Sequence, residues 1–295
     1  MSKLDAAQLF SVKGLVAVVT GAGSGLGAFM AHALDVNGAA KVFILGRRES
    51  KLNLQTCKKN GSLIPVPCDI SSKESLQAAV ASIQEQTPFV NLLVANSALL
   101  GEVTNLGPRP AEQTLGELQK ELWDKTSYED ASQVLTTNIA GSYFTFLAFL
   151  GLLGAGNTHP DSVGKNGLLQ SQVISTTSLG GFRRAESPSY VYNASKAALT
   201  HLTKSLTPEY AKHGIRANAI SPGFFVTEMT EEYAPEEDVT AAGSRPWHET
   251  PATRWGTEED MAGAVLYLAS RAGAFVNGGI LHVDGGALSM SPSSY

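Results

Sequence analysis

The chain predicts an α/β fold, a parallel sheet of about seven strands buried between two layers of helices. Two observations carry this reading. Short apolar runs without alternation recur along the chain, as happens where strands are covered on both faces. Between them lies sequence with helical spacing, so strands and helices alternate as βαβ units. A third observation sets the domain count. The units use up the chain with no linker, fixed-period repeat or low-complexity tract, which favours one domain, residues 1–295.

The elements follow in order. Leu15-Val16-Ala17-Val18-Val19 is the first strand, and helical spacing from Gly25 to Val36 follows a glycine cluster. Val42-Phe43-Ile44-Leu45 is the second strand, followed by polar helix-like sequence to Lys59. The third run is Leu63 to Val66, and the next helix runs from Ser72 to Glu85, with Ser71 or Ser72 as N-cap. Leu92-Leu93-Val94-Ala95 is the fourth strand. Gln172 to Ser175, Arg216 to Ile220 and Ile280 to Val283 complete the set. Two stretches break the rhythm, 101–132 and 224–255, and both read as excursions from the scaffold. Loops of that length tend to carry function.

Composition narrows the class. Lys plus Arg is 22 against 27 Asp plus Glu, a formal charge of −5, which disfavours a nucleic-acid binder because it supplies no basic excess to meet phosphates. Apolar residues are 43% and charged residues 17%, so the chain can fill a large core. Cys57 and Cys68 are the only cysteines, too few for a disulfide framework. The start has no apolar signal core, and a reduced, cytoplasmic setting is expected. The uncharged run from Ile139 to Gly156 approaches the length of a membrane span. It lacks Lys/Arg flanks and carries several glycines, so a buried helix is favoured over a membrane role.

Thr20-Gly21-Ala22-Gly23-Ser24-Gly25-Leu26-Gly27 joins the first strand to the first helix. Glycines there let backbone approach a pyrophosphate, and the helix N-terminus offers N–H groups and a positive dipole end. No Lys-Ser or Lys-Thr follows, which excludes a P-loop. The second strand ends Leu45-Gly46-Arg47-Arg48, with guanidinium groups where an acid would grip a ribose hydroxyl. Arg47 and Arg48 can pair a 2′-phosphate, so NADP is favoured over NAD; solvated strand-end arginines are the plainer alternative.

Tyr192 and Lys196 are four apart on an expected helix and share a face. An ammonium beside a phenol favours the phenolate and draws the tyrosine pKa toward working pH. Tyr190 lies on another part of the helix. Taken in order, the glycine loop, Asp69, Asn96, Asn138, Ser178, Tyr192, Lys196 and Pro222-Gly223 with Thr227 beyond closely resemble the short-chain dehydrogenase/reductase family from about Val12 to Gly286. The closing Asn277 to Gly286 segment resembles that family's last strand, and Arg254-Trp255-Gly256 with the long loops looks most like its fungal secondary-metabolite reductases.

The resemblance implies a doubly wound Rossmann domain with strand order 3-2-1-4-5-6-7 and ligand at the strands' carboxyl ends. It implies that Gly21, Gly25 and Gly27 cradle the pyrophosphate, with a backbone contact from Leu26. Asp69, beside Ile70, would accept from the adenine amino group, and Asn96 would sit by the adenosine ribose. Val226 and Thr227 would contact the carboxamide. Ser178 would hold the substrate oxygen and Tyr192 would be the general acid in reduction. Lys196 would hold the nicotinamide ribose and tune Tyr192, and Asn138 would anchor a relay water. The implied activity is NADP(H)-dependent reduction of a ketone or aldehyde, or the reverse oxidation. The apolar, aromatic loop 224–255 suggests a hydrophobic substrate. A homodimer or homotetramer through the helices around Tyr143 and Tyr192 is also implied.

The chain departs from the family's pattern in places. Ala98 stands where the family usually writes Gly. The connection from Ala98 to Asn138 is longer than usual, and Ser178 lies one residue further from Tyr192 than the common spacing. Ser175 and Thr177 are alternatives to Ser178, whose Ser178-Leu179-Gly180-Gly181 turn matches better. His248, Trp123 and Trp247 could line a pocket or serve elsewhere. No metal-ligand spacing occurs among the six histidines. Two other functions stay open on the same residues: a cofactor-sensing regulator without turnover, and isomerisation, dehydration or cyclisation.

Overall fold

The structure is a computed structural model that describes residues 4–56, 61–104, 109–231, 234 and 238–294. Cys57, with the end of the helix-like stretch at Lys59, and parts of both excursions, at 105–108 and within 224–255, fall outside them. The strands are β1 (Val16–Thr20), β2 (Lys41–Gly46), β3 (Leu63–Pro67), β4 (Leu92–Ala95), β5 (Gln172–Thr176), β6 (Arg216–Pro222) and β7 (Ile280–Val283). They form a seven-stranded sheet in the order β3-β2-β1-β4-β5-β6-β7, with parallel pairing throughout. This is the Rossmann arrangement the sequence reading expected.

The helices are α1 (Ala6–Leu9), α2 (Gly25–Val36), α3 (Glu49–Thr56), α4 (Lys73–Gln84), α5 (Leu115–Lys125), α6 (Tyr128–Leu135), α7 (Ser142–Thr158), α8 (Tyr190–Ala211) and α9 (Glu258–Ala269). The unalternating strands are explained by what covers them. In β1, Ala17 and Val19 enter one core with Met30 and Leu34 of α2 and Met261 and Val265 of α9. Val16 and Val18 enter the other with Leu76 of α4, Phe146 and Phe149 of α7 and Leu199 of α8. Successive side chains point to opposite faces, and here both faces are dry. Most strand positions are accordingly apolar, and polar ones such as Gln172, Arg216 and Asn218 are buried with hydrogen-bond partners.

Ser72 caps α4, its side chain accepting from the Ser75 N–H. The apolar run read from Ile139 to Gly156 is helical, but it opens in a π turn, Thr136–Gly141, that joins α6 to α7. The stretch Tyr128–Thr158 is long and apolar enough to cross a bilayer by length and composition alone. Yet Phe146, Phe149, Leu152 and Leu153 pack into the core, and a helix buried in a large domain has that composition for the same reason.

The excursion at 101–132 is not the irregular polar loop that its sequence suggests. It holds α5 and the start of α6. A capping box closes the first turn of α5, with Thr114 accepting from Glu117 N and Glu117 accepting from Thr114 N. Ser127 caps α6. None of the residues of α5 is buried, although Leu115, Leu118 and Leu122 recur at helical spacing. Thr104 and the Ser187–Tyr190 segment tie the excursion down, through Thr104 N to Pro188 O at 2.8 Å and Arg109 to the Tyr190 hydroxyl.

At the other end of the sheet Arg216 opens β6 from inside the core. Its guanidinium donates to Gln172 Oε1 and to the Gly273, Val276 and Leu268 carbonyls. Burial lowers its pKa to about 10, which leaves it charged at neutral pH. One side chain thereby joins β5, β6 and the chain between α9 and β7.

Candidate active site

The carboxyl ends of the strands open on a cleft of about 450 Å³. One half is built by the turn from β1 to α2. Gly21 and Gly25 sit at φ 66° and 55°, a region that costs a side-chain-bearing residue about 1–2 kcal/mol. Gly27 has a steric reason instead. A Cβ there would meet Gly21 O at 2.4 Å and Asn96 Nδ2 at 2.6 Å. Asn96 pins the turn, its amide donating to the carbonyls of Thr20 and Gly21. Ser24 is the N-cap of α2, but its side chain does not cap the helix. The first-turn N–H groups therefore face the cleft without that partner, and the dipole end with them.

The rim beyond the turn is charged. Arg47 and Arg48 at the end of β2 are exposed and line the cleft. Arg48 is engaged by Glu228, from the chain after β6, which also pairs with Lys51 at 2.7 Å. Asp69 and Ile70 line the wall after β3. Asp69 accepts from the Ser71 hydroxyl and N–H. The Ser71 hydroxyl and the nearby Arg47 hold its carboxyl below the usual carboxylate range, against some desolvation. A glycine cradle that a Cβ would fill, a helix N-terminus and cations at the rim are the donor set a nicotinamide dinucleotide needs. The residues present fit that group.

The inner end of the cleft is built by the β5 turn and α8. Ser178 lies just past β5, where its Oγ accepts from Gly180 N at 3.1 Å, and it lines the cleft together with Tyr192. Ser175 instead bonds Thr203 within the core, and Thr177 donates to Ile220 O. Ser189 caps α8 by accepting from Tyr192 N, which fixes the turn that carries the tyrosine. One turn on, Lys196 is 2% exposed and donates from Nζ to Thr176 O at 2.8 Å. Asn138 sits in the π turn, fully buried. It accepts from Leu99 N at 2.8 Å and donates to Leu99 O and to Ser195 Oγ at 2.9 Å each. A π turn inside a helix frees the local hydrogen-bond pattern, and such turns recur at functional sites.

A family profile described as Enoyl-(Acyl carrier protein) reductase matches residues 21–287. The chain is 43% identical over 304 aligned residues to short-chain dehydrogenase/reductase PhomF of Diaporthe leptostromiformis, covering 99% of this chain and 97% of that one. The chain belongs to the short-chain dehydrogenase/reductase family. Short-chain dehydrogenase/reductase SAT3 of Stachybotrys chartarum is 42% identical, across 90% of this chain and all of its own length. Among solved structures, the Pseudomonas aeruginosa RhlG/NADP active-site complex superposes with a TM-score of 0.76 at 26% identity, covering 95% and 98% of the two chains. The protein is thus a dehydrogenase/reductase acting on CH–OH or C=O groups, of the kind found in fungi.

For this short-chain dehydrogenase/reductase, several positions differ from the sequence reading. The adjacent ammonium does not pull the Tyr192 phenol down. Burial pushes it up to about 12, against the Ser178 hydrogen bond, and burial lowers Lys196 to about 7. Lys196 is buried and Tyr192 half-buried where it lines the cleft, and desolvation penalises both charged forms. The Asn96 Nδ2 is committed to the glycine turn while the residue lines the cleft, and the Asn138 amide is committed to Leu99 and Ser195. Val226 is exposed and does not line the cleft. The cause is a bridge between Phe225 and Gly256 that turns the phenylalanine inward and its neighbour out. Gly256 leaves room for that ring, which would lie 2.4 Å from a Cβ there. Trp123, Trp247 and His248 are also exposed and outside the cleft lining.

Some lining residues had no signal in the sequence. Glu228 and Arg48 are 180 positions apart, and Lys51 read only as part of a polar helix. Leu99, Phe225 and Met229 line the cleft with apolar side chains. Phe224 joins them, its ring tilted against Trp255 at 5.7 Å and covered by the Arg245 guanidinium at 4.5 Å.

Proposed function

We propose that the chain is an NADP(H)-dependent reductase of a ketone or aldehyde carried on a hydrophobic, secondary-metabolite-like molecule, working equally by chemistry as an alcohol dehydrogenase. The observation that carries this reading is the convergence of Ser178, Tyr192 and Lys196 on the inner end of the glycine-lined cleft, with Lys196 Nζ fixed by the Thr176 carbonyl and 5.6 Å from the Tyr192 ring centroid. NADP rather than NAD is supported by Arg47, Arg48 and Lys51 on the rim, and by the structural similarity to a protein solved as an NADP complex. An apolar substrate is supported by the aromatic wall of Phe224 and Phe225.

Bound dinucleotide supplies the hydride. The chain supplies position and a proton. In the reducing direction Ser178 donates to the carbonyl oxygen and holds it beside Tyr192. A phenol whose pKa lies near 12 is neutral at neutral pH, so Tyr192 carries the proton that the developing alkoxide needs. Lys196, fixed by the Thr176 carbonyl, returns a proton toward the tyrosine and holds ribose hydroxyls. Gly21, Gly25, Gly27 and Leu26 cradle the pyrophosphate, Asp69 and Ile70 take the adenine side, and Thr227 borders the nicotinamide side. Asn138 acts by position, locking the β4 loop to α8. The same reading assigns a cytoplasmic setting and a homodimer or homotetramer built on the helices that carry Tyr143 and Tyr192.

The test is NADPH consumption over a panel of ketones by wild type and Tyr192→Phe. Loss of at least a hundredfold in kcat is expected, the scale of a general acid. Equal rates in the two proteins would end the mechanism. Conversion of substrate without net cofactor oxidation would move the chain to isomerisation, dehydration or cyclisation. Cofactor binding with no turnover on any substrate would favour the sensor reading.

A further inference from the structure

The rim where the glycine turn, the end of β2 and the chain after β6 converge carries a charge cluster that hydride transfer does not use. Glu228 is at its centre. Its Oε2 accepts from Ser24 Oγ at 2.8 Å and from Arg48 Nη2, and its Oε1 meets Lys51 Nζ at 2.7 Å. The Lys51, Arg48 and Ser24 hydrogen bonds, in that order, hold the Glu228 carboxyl down at about 2, so it is ionised throughout the range in which the protein can be assayed. Two cations and a hydroxyl donor converging on one set of oxygens make up the composition of a phosphomonoester site. Arg47 stands exposed beside it on the same lip.

We propose that Glu228 is an internal stand-in for the cofactor's 2′-phosphate: its carboxylate occupies the anion site formed by Ser24, Arg48 and Lys51, and a 2′-phosphate must displace it. The inference rests on the NADP(H) reading above and deepens it by naming the residue that sets the discrimination. A 2′-phosphate gains the rim cations only by breaking their pairs with Glu228, so its affinity reports a difference rather than a sum. A dinucleotide with a free 2′-hydroxyl brings no charge to that point and leaves the pairs intact. The displacement also reaches the pyrophosphate end. Thr227, the neighbour of Glu228, packs over Gly25 so closely that a Cβ there would lie 3.1 Å from the threonine Cβ. Withdrawal of Glu228 therefore moves the residue that roofs the glycine turn.

Isothermal titration of the full chain, wild type against Glu228→Gln, tests this with NADP⁺, NAD⁺, 2′,5′-ADP and ADP. Glutamine keeps the size and an acceptor for Ser24 but removes the charge. NADP⁺ and 2′,5′-ADP should bind the variant roughly three- to thirtyfold tighter, the scale of one or two partly exposed ion pairs. NAD⁺ and ADP should stay within about twofold. Unchanged or weaker NADP⁺ binding overturns the proposal. So does equal tightening for both dinucleotides, which would make Glu228 a strap over the cleft with no regard for the phosphate. If Glu228→Gln does not fold, Glu228→Asp, with a shorter reach to Arg48, should shift NADP⁺ binding the same way by less, and no shift overturns the proposal equally. The wild-type NADP⁺/NAD⁺ ratio judges the NADP(H) reading, whereas the variant-to-wild-type change judges Glu228, so the two can fail separately.

Discussion

Lys196 Nζ donates to the Thr176 carbonyl at 2.8 Å and lies 5.6 Å from the centroid of the Tyr192 ring. The two residues share a face of α8, yet the bond that fixes the ammonium runs to β5. Lys196 is therefore held by the sheet, whereas Tyr192 is held at the start of α8 by its backbone N–H to Ser189. Whatever lowers the phenol pKa during alcohol oxidation has to arrive with the ligand. The positive ring of an oxidised nicotinamide is a charge of the right sign.

An ultraviolet titration of tyrosine ionisation checks this. The difference between wild type and Tyr192→Phe isolates one phenol. Without cofactor that phenol should titrate close to 12, since burial raises it. Saturation with NADP⁺ should move it down by one unit or more, because a nearby positive charge favours the phenolate. A Tyr192 titrating near 10 without cofactor would contradict the burial argument.

Lys196 also links stability to pH. Its pKa falls from the ordinary 10.5 to about 7 on folding. Between those values the unfolded chain holds a proton that the folded chain has released, so stability rises with pH. The slope is at most about 1.4 kcal/mol per pH unit. Tyr192 runs the other way, but its contribution is intact below 10 and is lost only between 10 and about 12. Lys196→Met abolishes the lysine term. The urea midpoint of wild type minus that of Lys196→Met should therefore shift in favour of wild type from pH 6.5 to pH 9.

Gly27→Ala should cripple the cofactor site through packing. The added methyl would meet the Gly21 carbonyl and the Asn96 amide, both fixed. Overpacking of this kind costs roughly 1–3 kcal/mol, and it pushes apart the turn and the β4 loop. A lower thermal midpoint with a smaller NADPH-induced shift is expected. Gly263→Ala is the control, because a Cβ there meets nothing within 4 Å and Ala favours the interior of α9.

Asn138→Ala should destabilise and misplace at once. It strips partners from the Leu99 N–H, the Leu99 carbonyl and the Ser195 hydroxyl. Each buried polar group left unpaired costs about 1–3 kcal/mol. Ser195 keeps a bond to Tyr192 O, so the loss should lie toward the low end of three such terms. Chemical denaturation gives the stability. A fall in kcat larger than the change in KM would report displacement of α8.

The strands β1, β2 and β4 were most legible because apolar side chains fill both their faces, whereas β5 and β6 carry buried polar residues such as Gln172, Ser175, Arg216 and Asn218. The glycine turn was legible because it needs positive φ at Gly21 and Gly25. The helix α5 was not read, although Leu115, Leu118 and Leu122 recur at helical spacing and the Thr114 and Glu117 capping pair marks its start. The difference at Val226 came from one bridge, Phe225 to Gly256, which decides which of two adjacent apolar residues faces the cleft. The Glu228 contacts join segments far apart in the chain, and periodicity carries no information about such pairs. Residue types near Tyr192 were legible, but its protonation was not. That depends on how much water the assembled wall excludes.

The clasp between Leu99 and Asn138 encloses the whole excursion at 101–132, with its entry and exit bound together by one amide. Lengthening a segment whose ends are already joined costs little, since closure entropy grows only slowly with length. Paralogues could exchange this stretch as a cassette while the glycine turn and the Ser178–Lys196 segment beside it are inherited unaltered.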